Sequence, residues 1–244
     1  TVSAESIVSK LKVAEDDTSV KAIMLEVNSP GGTVMGSKRV ADQLKEVSKP
    51  VVVLITEQGT SGAYWIASQA DVIVADELSI VGSIGVIGSY LEFSGLLDDY
   101  NVSYQRLVAG DYKDVSSPYK EMTDEEEAMV QERLDAIHEY FINEVATGRG
   151  MSVEDVQAFS EGMFYLGYEA KEMRMVDYLG NKEFALNLTE TIAGINNGQV
   201  SEYKDEKGFF DSFVGEYLAY SSYFIGQGIG STLVSSDSSW EIKV

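Results

Sequence analysis

An α/β fold with parallel strands and crossover helices is the architecture this chain predicts, on three observations. Two short apolar runs, Ala22-Ile23-Met24-Leu25-Glu26-Val27 and Val51-Val52-Val53-Leu54-Ile55, lack the alternation of a half-exposed strand and read as strands buried on both faces. Between them lies a helix-period segment, which gives the strand–helix–strand spacing of a crossover unit. Beyond about residue 120 the pattern turns helical, as expected of a sheet that acquires further cover late in the chain.

The elements follow in order. Residues 6–15 set Ile7, Val8, Leu11, Val13 and Ala14 at helical spacing. The first strand runs into Asn28-Ser29-Pro30-Gly31-Gly32, a tight loop. The next helix carries Val34, Val40, Ala41 and Leu44 on its apolar side, and Lys49-Pro50 stops it. After the 51–55 strand, Thr56 to Gly59 reads as a connector and Ser61 to Gln69 as a helix. Asp71 to Ala75 is a strand, Ile84-Gly85-Val86-Ile87 is apolar but broken by glycine, and Val102 to Val108 reads as a further strand. Thr123 with Glu126 is a capping box. Behind it Val130, Leu134, Ile137, Phe141 and Val145 form the stripe of a long amphipathic helix ending near Gly148. Ser152 with Asp155 caps a short helix, and Tyr168 to Met175 is another. Residues 1–195 thus read as one domain. Residues 196–244, rich in aromatic side chains from Tyr203 to Phe224, read as an arm that docks on the body or on a neighbouring copy.

Composition narrows the function. With 244 residues and 44% apolar content the chain can bury a large core. Its 18 Lys+Arg against 40 Asp+Glu, a net charge of −22, argue against nucleic acid or anionic lipid as a partner. No cysteine is present, so disulfides, thiolate catalysis and Cys-rich metal sites are excluded. No run reaches the roughly 18 apolar residues needed to span a bilayer. The chain opens on Thr1-Val2-Ser3-Ala4-Glu5 rather than a Met and a basic segment, the expectation for a chain trimmed at its N-terminus.

A hydrolase needs a nucleophile, a proton acceptor and donors for the developing oxyanion. Ser61 follows a buried strand and opens a helix, beside unpaired amides and the positive helix end. Gly62 lets backbone approach a substrate carbonyl, and Gly31 and Gly32 can supply a second amide. Taken alone, Ser61 reads rather as a helix cap, and the two glycines as a plain turn. Histidine is the usual base, but His138, the chain's one histidine, sits on the long helix, which disfavours a Ser-His-Asp triad. A lysine can serve as base when desolvation favours its neutral form. Spacing alone makes Lys113 a solvated loop residue flanked by Asp111 and Asp114. No His/Asp/Glu cluster has metal-ligand spacing, the glycine loops lack phosphate-binding patterns, and no cofactor is expected.

Asn28-Ser29-Pro30-Gly31-Gly32, Thr60-Ser61-Gly62-Ala63-Tyr64-Trp65, Gly82-Ser83-Ile84-Gly85-Val86, Gly110-Asp111-Tyr112-Lys113-Asp114, Arg149-Gly150 and Val176-Asp177-Tyr178-Leu179-Gly180 occur in this order. In this succession the chain resembles the signal peptide peptidase A (SppA) family of serine–lysine peptidases, from about residue 3 to residue 190. The resemblance implies a ClpP/crotonase-like spiral of strands with crossover helices. It implies Ser61 as nucleophile, Lys113 as base, Ser83 as the residue orienting the lysine, and Gly62 with Gly31 or Gly32 as oxyanion donors. It further implies hydrophobic peptide substrates such as cleaved signal peptides, and a homo-oligomeric ring in which the lysine can come from a neighbouring protomer. The implied location is the cell membrane, with the catalytic domain outside the cytoplasm and an anchor and N-terminal strand ahead of residue 1. Ala63 stands where the family often has Gly. Three rival readings are a membrane-associated Ser–Lys peptidase specific for one membrane protein, a crotonase-like acyl-CoA enzyme, and a non-catalytic ring that binds hydrophobic peptides.

Overall fold

Strands β1 (Ile23–Ser29) and β2 (Val51–Thr60) are parallel neighbours, in register from Ile23↔Val51 to Val27↔Ile55. The computed structural model describes residues 2–203 and the backbone of residues 239–243. Helix α1 (Ala4–Asp16) is capped by Ser3 and buries Ile7, Leu11 and Ala14. Helix α2 (Val34–Glu46) is capped by Thr33 and crosses from β1 to β2, burying Val40, Ala41 and Leu44. It ends at Glu46, three residues ahead of Lys49-Pro50.

β2 is the branching element of the sheet. Its first half pairs in parallel with β3 (Val72–Ala75), and its second half with β4 (Ile80–Gly82) through Gln58↔Ile80, Gly59↔Val81 and Thr60↔Gly82. The expected connector at 56–59 is therefore strand. Its polar residues and Gly59 hide a ladder that β4 supplies from outside the local sequence. β5 (Phe164–Leu166) pairs antiparallel with β4, placing Gly82 opposite Phe164. β6 (Tyr178–Leu179) continues the sheet from β3. At the other edge β8 (Ser239–Lys243) runs antiparallel to β1 and pairs with β7 (Glu202–Tyr203). Residues 204–238, most of the aromatic segment, lie outside the described residues.

Met24, Val52, Leu54 and Val74 form a cluster with Ala185 of α8 (Lys182–Ala193), and Leu186 and Leu188 pack against it. Ile23, Leu25, Val27, Val53, Ile55 and Ile73 alternate with them and are equally buried, facing the other way by the strand pleat. This two-sided burial explains the continuous apolar runs. Each such side chain contributes roughly 1.5–3 kcal/mol on leaving water. The short α3 (Gly62–Ala67) is buried along its whole length, and the Tyr64 hydroxyl donates to the Met175 carbonyl at 3.0 Å. α7 (Gly167–Glu172) completes this unit, made of residues 1–82 and 164–244.

Residues 83–163 form a second unit. It holds α4 (Ser94–Asp99), α5 (Asp124–Arg149) and α6 (Val153–Gln157). The capping box forms as read: Thr123 Oγ1 accepts from the Glu126 amide at 3.2 Å, and Glu126 accepts from the Thr123 amide at 3.0 Å. α5 runs to Arg149, where Gly150 takes the left-handed conformation that ends it. Phe141 and Val145 are buried with Ile142 and Ala146, whereas Val130, Leu134 and Ile137 are half-buried. One expectation fails in this unit. Residues 102–108 are not strand, and every residue from Val102 to Val108 is exposed. Apolar, β-branched residues form a strand only where a partner ladder exists, and none is present for this segment among the described residues.

Candidate active site

Ser61 follows the ten-residue β2 and precedes α3 with φ +52° and ψ −128°, a conformation that side-chain-bearing residues rarely adopt. Its amide donates to the Gly82 carbonyl at 2.7 Å, and its carbonyl accepts from the Trp65 amide at 3.0 Å. The turn is thus bolted to β4 on one side and to the buried α3 on the other. Ser61 holds the N-cap position of α3, but its hydroxyl makes no capping bond, as a serine there ordinarily does.

The Asn28–Gly32 loop reaches this turn. Gly31 has φ +109°, and a Cβ there would stand 2.9 Å from both the Gly62 nitrogen and Ser61 Cβ. Only glycine meets both requirements. The Gly31 amide is occupied, donating to Ser29 Oγ at 3.2 Å. The amides of Gly32 and Gly62 have no acceptor among the described residues. A Cβ at Gly62 would lie 3.4 Å from the Gly32 nitrogen and collide with Ser37 Oγ of α2. The close approach that demands glycine at 62 is therefore packing of α3 against α2. Beside these amides opens a cavity of about 460 Å³, with Gly31 and Gly32 in its wall together with Ile7, Val40, Ala63 and Ile66.

The remaining candidates lie in the second unit. Ser83 also has a positive φ, +49°. Its amide donates to the Met163 carbonyl at 2.8 Å and its hydroxyl to the Gly162 carbonyl at 3.1 Å, so its oxygen keeps lone pairs to accept with. Lys113 is exposed, in a run of turns from Asp111 to Ser116, and no ion pair holds its ammonium among the described residues. The flanking Asp111 and Asp114 make no ion pair with it among the described residues. Asp114 is taken by Arg106, Nε to Oδ2 at 2.6 Å and Nη2 to Oδ1 at 2.9 Å, and Arg106 also donates to the Asp111 carbonyl at 3.2 Å. The guanidinium holds the Asp114 carboxyl below its usual range. Lys120 does the same for Glu126, gripping it at 2.6 and 2.7 Å. His138 lies on α5 with its Nε2 buried and without a partner among the described residues. No group of three or more His, Asp or Glu side chains among the described residues is placed to hold a metal ion.

Two of the contributors were not legible. Ser29 carries only the weak signal of a serine two residues ahead of a glycine, and Arg106 meets Asp114 across eight irregular residues, where no periodicity applies.

A strained serine at a strand–helix junction, close to the Gly32 and Gly62 amides that have no acceptor among the described residues, is equipped for nucleophilic acyl transfer. The profile of Peptidase family S49 matches residues 43–196, well over half of the sequence. The chain belongs to peptidase family S49. Residues 1–74 of this S49 peptidase also match the Clp protease profile, which fits the mixed α/β sheet and gives it a ClpP-like fold. A protein of Methanocaldococcus jannaschii carrying a protease name is 38% identical over 90% of this chain and 70% of its own length. A protein of Enterococcus faecium named for signal peptide peptidase SppA is 35% identical over 88% of this chain and 64% of its own. The chloroplastic serine protease SPPA of Arabidopsis thaliana is 26% identical over 79% of this chain and 29% of its own. The S49 peptidase is a serine protease of the SppA family. No described helix of it is long and apolar enough to cross a membrane.

Proposed function

We propose that this peptidase cleaves hydrophobic peptides, such as signal peptides left after export, through a Ser61–Lys113 dyad. It acts at the cell membrane with its catalytic domain outside the cytoplasm. The observation that carries the reading is the Ser61 turn: a hydroxyl held at positive φ beside the unoccupied Gly32 and Gly62 amides and an apolar cavity.

Neutral Lys113 takes the Ser61 proton as Oγ attacks the scissile carbonyl carbon. The oxyanion forms against the Gly32 and Gly62 amides, donors that are worth far more in a dry site than in water. Collapse breaks the C–N bond, and the protonated lysine gives its proton to the leaving amine. Water, deprotonated by Lys113, then hydrolyses the Ser61 ester. Ser83, whose own proton is committed to Gly162, accepts from the lysine and orients it. The cavity beside Gly31 takes an apolar side chain of the substrate. Lys113 is exposed in the single chain, so the desolvation its role requires comes from bound substrate or from a neighbouring copy in a ring. Exposed Ile87, Leu91 and Leu107 in the same unit support such burial.

Ser61→Ala and Lys113→Ala are each expected to abolish hydrolysis of a fluorogenic hydrophobic peptide while melting as the unmutated protein does. Full activity in either variant overturns the dyad. Co-assembling the two inactive variants restores partial activity only if Ser61 of one copy works with Lys113 of another.

A further inference from the structure

Ser29 is 1% exposed at the end of β1, and its hydroxyl touches a single residue twice. It accepts from the Gly31 amide at 3.2 Å and donates to the Gly31 carbonyl at 3.4 Å. One hydroxyl has the single donor and the acceptor capacity this needs. The Gly31 carbonyl and the Gly32 amide belong to one peptide unit, which is planar and trans, so its C=O and N–H point in opposite directions. Holding the carbonyl on the Ser29 side therefore aims the Gly32 N–H at the other side.

We infer that Ser29 is a positioning residue for the oxyanion donor: its hydroxyl locks the Gly31–Gly32 peptide plane so that Gly32, and not Gly31, presents its N–H beside Gly62. Two glycines in succession offer little resistance to rotation of the peptide between them. A half-turn of that plane would point the Gly31 carbonyl, a negative dipole end, to where negative charge develops. Nothing else polar among the described residues is recorded on the Gly31 carbonyl. The close contact of Gly31 with the Ser61–Gly62 backbone restrains the position of the loop but not the sense of this peptide. Ser29 supplies that sense, and it also removes the Gly31 amide from competition as a donor.

The inference rests on the proposed role of Ser61, and the test separates the two. Ser29→Ala and Ser29→Thr are compared with the unmutated full chain in three measurements. These are peptide turnover, affinity for a peptide aldehyde that places a hemiacetal oxygen between the amides, and affinity for the same peptide with a reduced –CH2–NH– bond and no oxygen there. Ser29→Ala is expected to lower kcat/KM by about 10–100-fold, less than outright loss of a donor, with the loss in kcat. Aldehyde affinity falls by the same factor and reduced-bond affinity is unchanged. Ser29→Thr, which keeps the hydroxyl, recovers most of the turnover. Unmutated turnover in Ser29→Ala, or equal weakening of the two inhibitors, overturns the role of Ser29 and leaves Ser61 standing. If a fluorophosphonate fails to label Ser61 in the unmutated protein, the nucleophile assignment falls and this inference with it.

Discussion

The Ser61 turn and the Lys113 turn are built on opposite plans. Ser61 sits between a ten-residue strand and a fully buried helix, and backbone hydrogen bonds fix it at a φ it would not choose. Lys113 sits in irregular, exposed chain held by ion pairs, the Arg106–Asp114 fork among them. One half of the proposed dyad is preorganised by the core. The other is tethered by charges that water and salt can compete for. The contrast teaches that, in the proposed dyad, the Ser61 half is shaped by its own core, whereas the Lys113 half needs cover to lose its charge.

The largest effect that tests this contrast comes from the base. Lys113→Ala should lower kcat by about 10⁴-fold, the scale of losing a member of a catalytic unit. The strained Ser61 turn should stay intact, read as an unchanged melting temperature. A loss of stability as large as the loss of activity would break the contrast. Next is Gly31→Ala, which forces a Cβ into the 2.9 Å space beside Ser61 and Gly62 at φ +109°. It should inactivate the enzyme and cost about 1–3 kcal/mol of stability, measured by denaturant unfolding.

Smaller effects are expected from the second unit. Arg106→Ala releases Asp114 beside Lys113 and frees the 110–114 turn, and turnover should fall by about tenfold. Asp114→Asn in the same chain should restore part of it, and fluorophosphonate labelling of Ser61 should persist in both. Acid provides the mildest probe. Asp114 and Glu126 have carboxyls lowered by Arg106 and Lys120. A lowered carboxyl stabilises the folded state fully above its ordinary value, and that stabilisation is lost as pH falls through the lowered one. Below about pH 4 the segment from residue 104 to 126 should therefore gain hydrogen exchange before β1 and β2 do. Simultaneous loss would show one cooperative unit instead.

Legibility in the sequence followed the same division. α1, α2, β1 and the capping box at Thr123 were readable because periodicity and caps are local signals. The extension of β2 through Thr56–Thr60 was not, because its partner β4 lies twenty residues further on. The false strand at 102–108 is the mirror case, with strand-like residues and no ladder. α8 went unread although Asn181 caps it and Gly194 ends it, both usable signals. At the site, Ser61 stood out by its place between strand and helix. Lys113 did not, since its separation from Asp114 depends on Arg106, a contact that obeys no periodicity.

The pairing of Gly82 with Phe164 gives the second unit the topology of a cassette. The chain leaves the sheet at one residue and rejoins it at that residue's cross-strand neighbour, with the Ser83–Met163 and Ile84–Gly162 bonds closing the neck. Everything between could be exchanged for a relative's equivalent, or shortened to a tight turn, without redrawing a single strand of the sheet. Such a graft would transplant Lys113 and its tethers as one piece while Ser61 stays with the host. The two halves of the proposed dyad would then be open to recombination one against the other.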